Sequence, residues 1–307
     1  MEISDIPCSL PLISSENILA ISEEEKFTRA PSNPQVFGPW SWFLLHRAAS
    51  RTFINFYEFE SIISGRKVFG ALLSNLYTMI PCVICSKHTA SYINTNISKT
   101  SPETSKHLIN NNSLSKFLYE FHAAVNENYA MTPPNSSSSS NSYVKPSYKT
   151  AIKDRYQTEI PHGFSTTLDY DPEYKIIRAA FFFLFNGAAK ISPSTPQFSS
   201  YNPMTSTYNW IEPAVLDDLV TFFQSCWVLF PINTGARTIV RKAVTEISKT
   251  ELMEKLAPRT GTFLFVYKLY YDWSIINNTK YATPFKIAAR FGINIQSEST
   301  IRDNVGL

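Results

Sequence analysis

The chain has 307 residues, of which 44% are hydrophobic and 17% charged, so it has enough apolar side chains for a large core and is not a wholly disordered protein. Its 28 basic and 25 acidic residues leave a formal net charge of +3, which gives no reason to propose nucleic acid or an anionic membrane as a partner. The 9 glycines form no complete phosphate-binding loop or dinucleotide fingerprint, which excludes the classical nucleotide sites.

The N-terminal residues 1–32 are polar and contain three prolines, so we expect a flexible leader. Glu2 and Asp5 lie where a secretory signal carries positive charge, and we expect no export by that route. The most apolar stretch, 176–185, is interrupted by Arg178 and is shorter than the roughly 20 residues of a membrane span. We therefore expect no membrane association.

Helical periodicity begins after Pro34. One face of a first helix is predicted by the 3-4 spacing of Trp42, Leu45, His46 and Ala49, and a second helix by that of Phe69, Leu72, Leu73, Leu76 and Ile80. Pro81 stops the second helix and can occupy the first turn of a third, which places Cys82 and Cys85 at a helix start. The polar segment 94–112 is predicted as a loop, with Ser113 as the N-cap of a fourth helix over 114–129.

A serine-rich stretch at 135–142 has nothing to bury, and we expect a loop or linker over 132–170. Further helical patterns follow at 173–185, 216–229, 236–247 and 263–273. The sequence thus predicts an all-α protein with a helical bundle over 33–131 and a second, mostly helical domain over 171–307.

The second half echoes the first in three short blocks that keep their order. The similar pairs are 42–49 with 182–189, 80–85 with 230–235, and 117–121 with 265–269. Duplication and chance similarity between helical bundles both explain the match. If the second half is a copy, it has lost both cysteines and the paired histidines.

Of the four cysteines, only Cys82 and Cys85 are close in sequence, as a single C-x-x-C. At a helix start this pair can close a small disulfide, and the helix N–H groups and dipole favour the reactive thiolate. Zinc is the alternative, with Cys82, Cys85 and His88 as ligands and His107 or His122 as a fourth. The spacing alone leaves both open. Cys8 is interpreted as an inert thiol, and Cys226 as a small buried apolar residue.

Three motifs together distinguish these readings, in the order Gly38-x-x-x-Trp42-x-x-Leu45-His46, Pro81-Cys82-x-x-Cys85-x-x-His88 and His122-x-x-Val125-Asn126. In this combination the chain resembles the Erv/ALR family of FAD-linked sulfhydryl oxidases, and is most similar to the baculovirus-type branch in large DNA viruses. The resemblance covers about a third of the chain. Ala123 departs from the family pattern, which usually has asparagine there.

The resemblance implies a four-helix bundle, with a short fifth helix in many members, that binds FAD next to a Cys82–Cys85 redox disulfide. It implies that Cys82 exchanges with incoming thiols and that Cys85 lies against the flavin. Electrons would pass through the flavin to molecular oxygen, which would yield hydrogen peroxide. The positions that match cofactor-binding residues of the family are Gly38, Trp42, His46, Cys85, His88, Phe117, His122, Val125 and Asn126.

The same resemblance implies partners and a location. The substrates would be thiol-containing proteins, including virion proteins, oxidised in the cytoplasm or nucleus of an infected host cell or in association with virions. The family commonly forms homodimers through its bundles, and a degenerate second bundle could take the dimer position within one chain.

Overall fold

The computed structural model describes residues 34–51, 61–131, 172–191, 213–258 and 260–277, with the short pieces 59, 147–148, 284 and 287–288. Across these residues the chain forms nine α-helices and four short 3-10 helices, and no β-strand. The prediction of an all-α protein is therefore confirmed. The expected leader, the serine-rich stretch at 135–142 and Cys8 lie outside the described residues.

The first half contains four α-helices: α1 (Pro34–Arg51), α2 (Ile62–Ser74), α3 (Val83–Asn96) and α4 (Asn111–Met131). Helix α1 packs along α4, α2 packs against α3, and α3 also contacts α4. Leu45, Phe69 and Leu118 are buried between them. The 3-4 spacing of apolar residues that predicted these helices is what directs such side chains into a shared interior.

The predicted end of the second helix was wrong. Helix α2 ends at Ser74, where the side-chain amide of Asn75 donates a hydrogen bond to the carbonyl of Ala71 at 2.9 Å. Residues Leu76–Met79 then form a separate 3-10 helix. An asparagine that bonds the backbone in this way competes with the continuing helix.

The predicted place of Pro81 was also wrong by two residues. Cys82 is the N-cap of α3, and the helix begins at Val83, so Pro81 lies outside the first turn. Ile80 has an extended backbone, as expected for a residue that precedes a proline. As the N-cap, Cys82 places its sulfur at the N-terminal end of α3.

The segment predicted as a loop at 94–112 is more regular than expected. Helix α3 runs to Asn96, and the 3-10 helices Pro102–Thr104 and Lys106–Leu108 lead into α4. Ser113 was wrongly predicted as the cap of the fourth helix: its backbone N–H donates to the side chain of Asn110 at 2.9 Å.

The second half contains five α-helices: α5 (Pro172–Ile191), α6 (Pro213–Ser225), α7 (Gly235–Thr245), α8 (Lys249–Leu256) and α9 (Gly261–Ile276). A 3-10 helix, Cys226–Leu229, follows α6 directly. Helix α8 was not predicted, although Ser248 and Glu251 have the spacing of a helix N-terminus, and the Ser248 hydroxyl accepts the Glu251 N–H at 3.1 Å. The prediction that Cys226 is buried is confirmed.

The two halves share one continuous apolar core. Helix α1 contacts α5, and α2 contacts α6. The 3-10 helix at 76–79 packs against α5 and α6, and the 3-10 helix at 226–229 packs against α1 and α2. Each half therefore contacts the other through two α-helices and one 3-10 helix. Among the described helices, none combines the length and the apolar character needed to cross a membrane.

Candidate redox site

The cysteine pair occupies the first turn of α3 as a disulfide. Cys82 and Cys85 are joined by an S–S bond, with their Cα atoms 5.2 Å apart. The backbone N–H of Cys85 donates to the Cys82 sulfur at 3.2 Å, so this sulfur takes the role that a serine hydroxyl has at many helix starts. After reduction, the free N–H groups and the dipole of α3 would favour a thiolate here.

The turn that carries the disulfide faces solvent on one side. Val83 and Ile84, the two residues between the cysteines, are 41% and 67% exposed. Cys82 and Cys85 themselves are partly buried and pack against the core. The disulfide is therefore within reach of a second protein, while its inner side contacts apolar groups.

The inner face of α3 leads from the disulfide to a set of aromatic rings on α4. Tyr92 lies seven residues after Cys85, which places both on one face of the helix. Its ring stacks on Phe121 with centroids 4.9 Å apart and lies 5.9 Å from Phe117. Phe117, predicted as a cofactor contact, is buried among these rings and also packs against His107 at 4.9 Å.

Trp42 of α1 joins the same cluster through its contacts with Phe121 and His122 of α4. Its indole stacks almost parallel on the His122 ring, with centroids 4.1 Å apart and planes 9° apart, and meets Phe121 edge-on at 5.1 Å. His46, one turn further along α1, has its Nε2 atom 3.3 Å from Nδ1 of His122. Three of the predicted cofactor residues, Trp42, His46 and His122, are therefore in direct contact.

Burial lowers the pKa of His46. Its side chain is fully buried, and desolvation, followed by the nearby His122, holds the pKa of His46 well below its usual value. The pKa of His107 is also lowered, by burial and then by Lys106. Neutral imidazoles in the interior can donate and accept hydrogen bonds without the cost of a buried charge.

The other predicted cofactor residues lie around this cluster. Gly38 is buried in the first turns of α1, Val125 is partly buried against the core, and Asn126 is partly buried one position further along α4. His88 is exposed on α3, one turn after Cys85. Tyr92 and Phe121, which belong to the same aromatic cluster, were not among the predicted cofactor residues, although the seven-residue spacing of Tyr92 from Cys85 places both on one helix face.

The arrangement does not favour the zinc alternative. Cys82 and Cys85 are bonded to each other, and His122 is stacked on Trp42. Within the described ranges, no three side chains among His, Cys, Asp and Glu are grouped so that they could hold a metal ion.

A polar link joins the disulfide turn to the second half. Lys190, at the end of α5, donates to the carbonyl oxygen of Tyr77 at 2.9 Å and to the hydroxyl of Ser86 at 3.0 Å. The phenol of Tyr77 donates to Asp218 of α6, which also pairs with Lys99 at 2.5 Å. The sequence did not indicate this link, because its members are 104 to 141 residues apart.

No family model, curated protein or solved structure matches the chain.

Proposed function

We propose that the protein is an FAD-dependent thiol oxidase that introduces disulfides into protein substrates and reduces oxygen to hydrogen peroxide. The observation that carries this proposal is the Cys82–Cys85 disulfide at the start of α3, on the same helix face as an aromatic cluster formed with α1 and α4. The sequence motifs that resemble the Erv/ALR family contribute residues to this region.

The chemistry of the residues in the aromatic cluster suits a flavin. Trp42 and Tyr92 are flat side chains that remain partly exposed at the edge of the core, as suits a planar ring system stacked on aromatic groups. His122 and Asn126 carry hydrogen-bonding groups one turn apart on α4. Cys85 lies on the inner face of α3, and we infer that it is the sulfur nearest the flavin.

The protein's own chemistry would be two thiol–disulfide exchanges. A substrate thiolate attacks the Cys82 sulfur, breaks its bond to Cys85 and forms a mixed disulfide, which leaves Cys85 as a thiolate stabilised by the start of α3. A second substrate thiolate attacks the substrate sulfur of the mixed disulfide, releases Cys82 and completes the substrate disulfide. A bound flavin would accept the two electrons left on the cysteine pair and pass them to oxygen.

We further propose that the second half is a degenerate copy of the first. A helix, a second helix that ends in a 3-10 turn, a proline and a side-chain-capped helix follow in the same order in both halves. The packing between halves is reciprocal, as in an interface between two copies. An intrachain pseudo-dimer of Erv-type bundles accounts for both features, and two chains could associate further as a homodimer.

The proposed copy has a structural residue where the first half has its inner cysteine. Thr234 is the N-cap of α7, as Cys82 is of α3, so Arg237 stands at the position of Cys85. This pairing is two residues later than the match drawn from the sequence. Arg237 is buried, donates to the carbonyl of Phe230 at 2.7 Å and lies over the Trp227 ring at 4.8 Å. The second half would therefore hold the fold together without redox chemistry.

The biological setting follows from the same resemblance. We propose thiol-containing proteins, including virion proteins, as substrates, and the cytoplasm or nucleus of an infected cell as the compartment. The exposed Val83 and Ile84 beside Cys82 leave room for a protein substrate.

The test is a visible absorption spectrum and an oxygen-consumption assay with dithiothreitol as the thiol. The purified full-length chain should carry flavin absorption bands and consume oxygen. Cys82→Ala and Cys85→Ala should each lower the turnover rate at least a hundredfold, because each removes the redox disulfide, whereas Cys226→Ala, which changes a buried thiol outside the site, should remain active. The proposal would be contradicted if the protein, purified from cells supplied with flavin, carried no flavin. Full activity in Cys85→Ala would also contradict it.

A further inference from the structure

The disulfide turn is in contact with Lys190, a cation from the second half of the chain. Gly187 of α5 lies so close to the first half that a Cβ atom there would be 3.0 Å from the Cα atom of Met79. Lys190 follows three residues later, on the same side of α5. The close approach at Gly187 therefore brings the ammonium group of Lys190 against the elements that carry the cysteine pair.

The contacts of Lys190 reach the first turn of α3 directly. Its Nζ atom donates to the Ser86 hydroxyl at 3.0 Å, and Ser86 follows Cys85 in the chain. The Ser86 hydroxyl donates to the carbonyl of Tyr77 at 2.7 Å, and the Ser86 N–H donates to the carbonyl of Cys82 at 2.8 Å. Lys190, Tyr77 and Ser86 thus connect α5, the 3-10 helix at 76–79 and the disulfide turn.

The charge of Lys190 is poorly compensated in this position. Both of its hydrogen-bond acceptors are neutral oxygens, and no carboxylate in the described part of the chain forms an ion pair with it. Burial lowers the pKa of Lys190 to about 8. The C-terminal end of α5, where Lys190 lies, favours a cation, but the N-terminal end of α3, which its ammonium group contacts, disfavours one. A negative charge that would balance the ammonium arises at this turn only when the disulfide is reduced to a thiolate.

We propose that Lys190 is a positioning residue for the redox pair: it holds the first turn of α3 and stabilises the reduced form, so that the Cys82–Cys85 disulfide is a stronger oxidant. The inference rests on the redox role proposed above. It assigns the second half a part in the chemistry, although that half has no cysteine pair of its own.

The relevant equilibrium is the exchange of the Cys82–Cys85 disulfide with glutathione. Two glutathione thiols lose two electrons and become one glutathione disulfide, while the protein S–S bond breaks and the two protein sulfurs take up the electrons and the protons. A cation near the reduced sulfurs shifts this equilibrium toward the dithiol, because a stabilised thiolate makes a disulfide more oxidising.

The experiment measures that equilibrium in the full-length protein across glutathione redox buffers without oxygen, which would otherwise act as a second oxidant. The readout is rapid alkylation and mass analysis of the tryptic peptide 68–87, which contains both cysteines. Lys190→Met should shift the equilibrium constant about tenfold toward the disulfide, which is about 30 mV in reduction potential. Lys190→Arg keeps the charge, so its equilibrium constant should lie close to that of the wild type. Lys99→Met is the matched control, since it removes an inter-half cation that pairs with Asp218 instead.

An equilibrium constant for Lys190→Met equal to that of the wild type, or a shift in Lys190→Arg as large as in Lys190→Met, would overturn the inference. If Lys190→Met does not fold, Lys190→Gln takes its place, because glutamine keeps a hydrogen-bond donor without the charge. An equilibrium constant equal to that of the wild type, or a shift no larger than that of Lys190→Arg, would again overturn the inference. The measurement needs no flavin. A shift in a flavin-free protein would support the role of Lys190 while contradicting the oxidase, and an unshifted, active flavoprotein would contradict only the role of Lys190.

Discussion

At the scale of single residues, the contact between His46 and His122 depends on the protonation of two imidazole rings. With Nε2 and Nδ1 3.3 Å apart, one ring can donate to the other only while at least one of the two nitrogens lacks a proton. The spacing of Trp42 and His46 predicted a shared helix face, but it could not predict that His122, 76 residues away from His46, completes the stack on Trp42.

The lowered pKa of His46 predicts a loss of stability in mild acid. Below pH 6.5 the unfolded chain protonates this histidine while the folded chain does not, so the stabilisation is complete above pH 6.5 and is lost as pH falls toward the folded pKa. The free energy of unfolding, measured with urea at several pH values from 7 to 5, should fall more steeply for the wild type than for His46→Asn. A single group contributes at most about 1.4 kcal/mol per pH unit.

His88→Asn is the matched control for this measurement, because it removes an exposed histidine from the same region. It should retain the pH dependence of the wild type. Equal pH dependence in the wild type and His46→Asn would show that His46 does not titrate differently in the two states.

At the scale of elements, the helices themselves were predictable and their ends were not. Apolar residues at 3-4 spacing located α1 and α2, and Pro81 marked the break before α3. The exact cap depends on which side chain reaches a free N–H, so Cys82 and Asn110 became caps where Pro81 and Ser113 had been predicted at the starts of their helices. Each observed cap lies close in sequence to the predicted start, but the local backbone geometry decides which residue takes the position.

Helix α5 approaches the 3-10 helix at 76–79 closely at Gly187, and this approach predicts a specific cost. A Cβ atom there would lie 2.8 Å from the sulfur and 3.0 Å from the Cα atom of Met79. The side chain of Met79 can move, but the backbone cannot. Gly187→Ala should therefore lower the free energy of unfolding by about 1–3 kcal/mol, despite a gain of about 1 kcal/mol in helix propensity.

Gly235→Ala provides the comparison, since it also replaces a helical glycine. The nearest atom to a Cβ at Gly235 is the side-chain nitrogen of Asn277 at 3.8 Å, so this variant should be as stable as the wild type or slightly more stable. Denaturant unfolding of both variants measures the difference. If the two alanine variants are equally stable, the close packing of α5 on Met79 does not constrain the fold.

At the scale of the whole molecule, the sequence predicted two helical halves, and the family resemblance implied a dimer-like arrangement of them, but the individual contacts between the halves could not be predicted. The contact of Lys190 with Ser86 and that of Tyr77 with Asp218 join residues more than a hundred positions apart. No periodicity or motif in a single sequence encodes such pairs, because they depend on how complete helices pack. The cysteine pair and Trp42 could be located from motifs, whereas the contact of Lys190 with the disulfide turn could not.

The shared core predicts that the first half does not persist alone as a monomer. Met79 and Ile80 are buried, and Gly187 packs on Met79, so a chain that ends at residue 135 would expose apolar surface now covered by α5 and α6. Exposed patches of this kind drive association. Size-exclusion chromatography with light scattering should find residues 33–135 aggregated or self-associated, and coexpression with residues 171–307 should restore a soluble 1:1 complex. A soluble, active monomer of residues 33–135 would contradict this prediction and would show that the second half is dispensable both for the fold and for the chemistry.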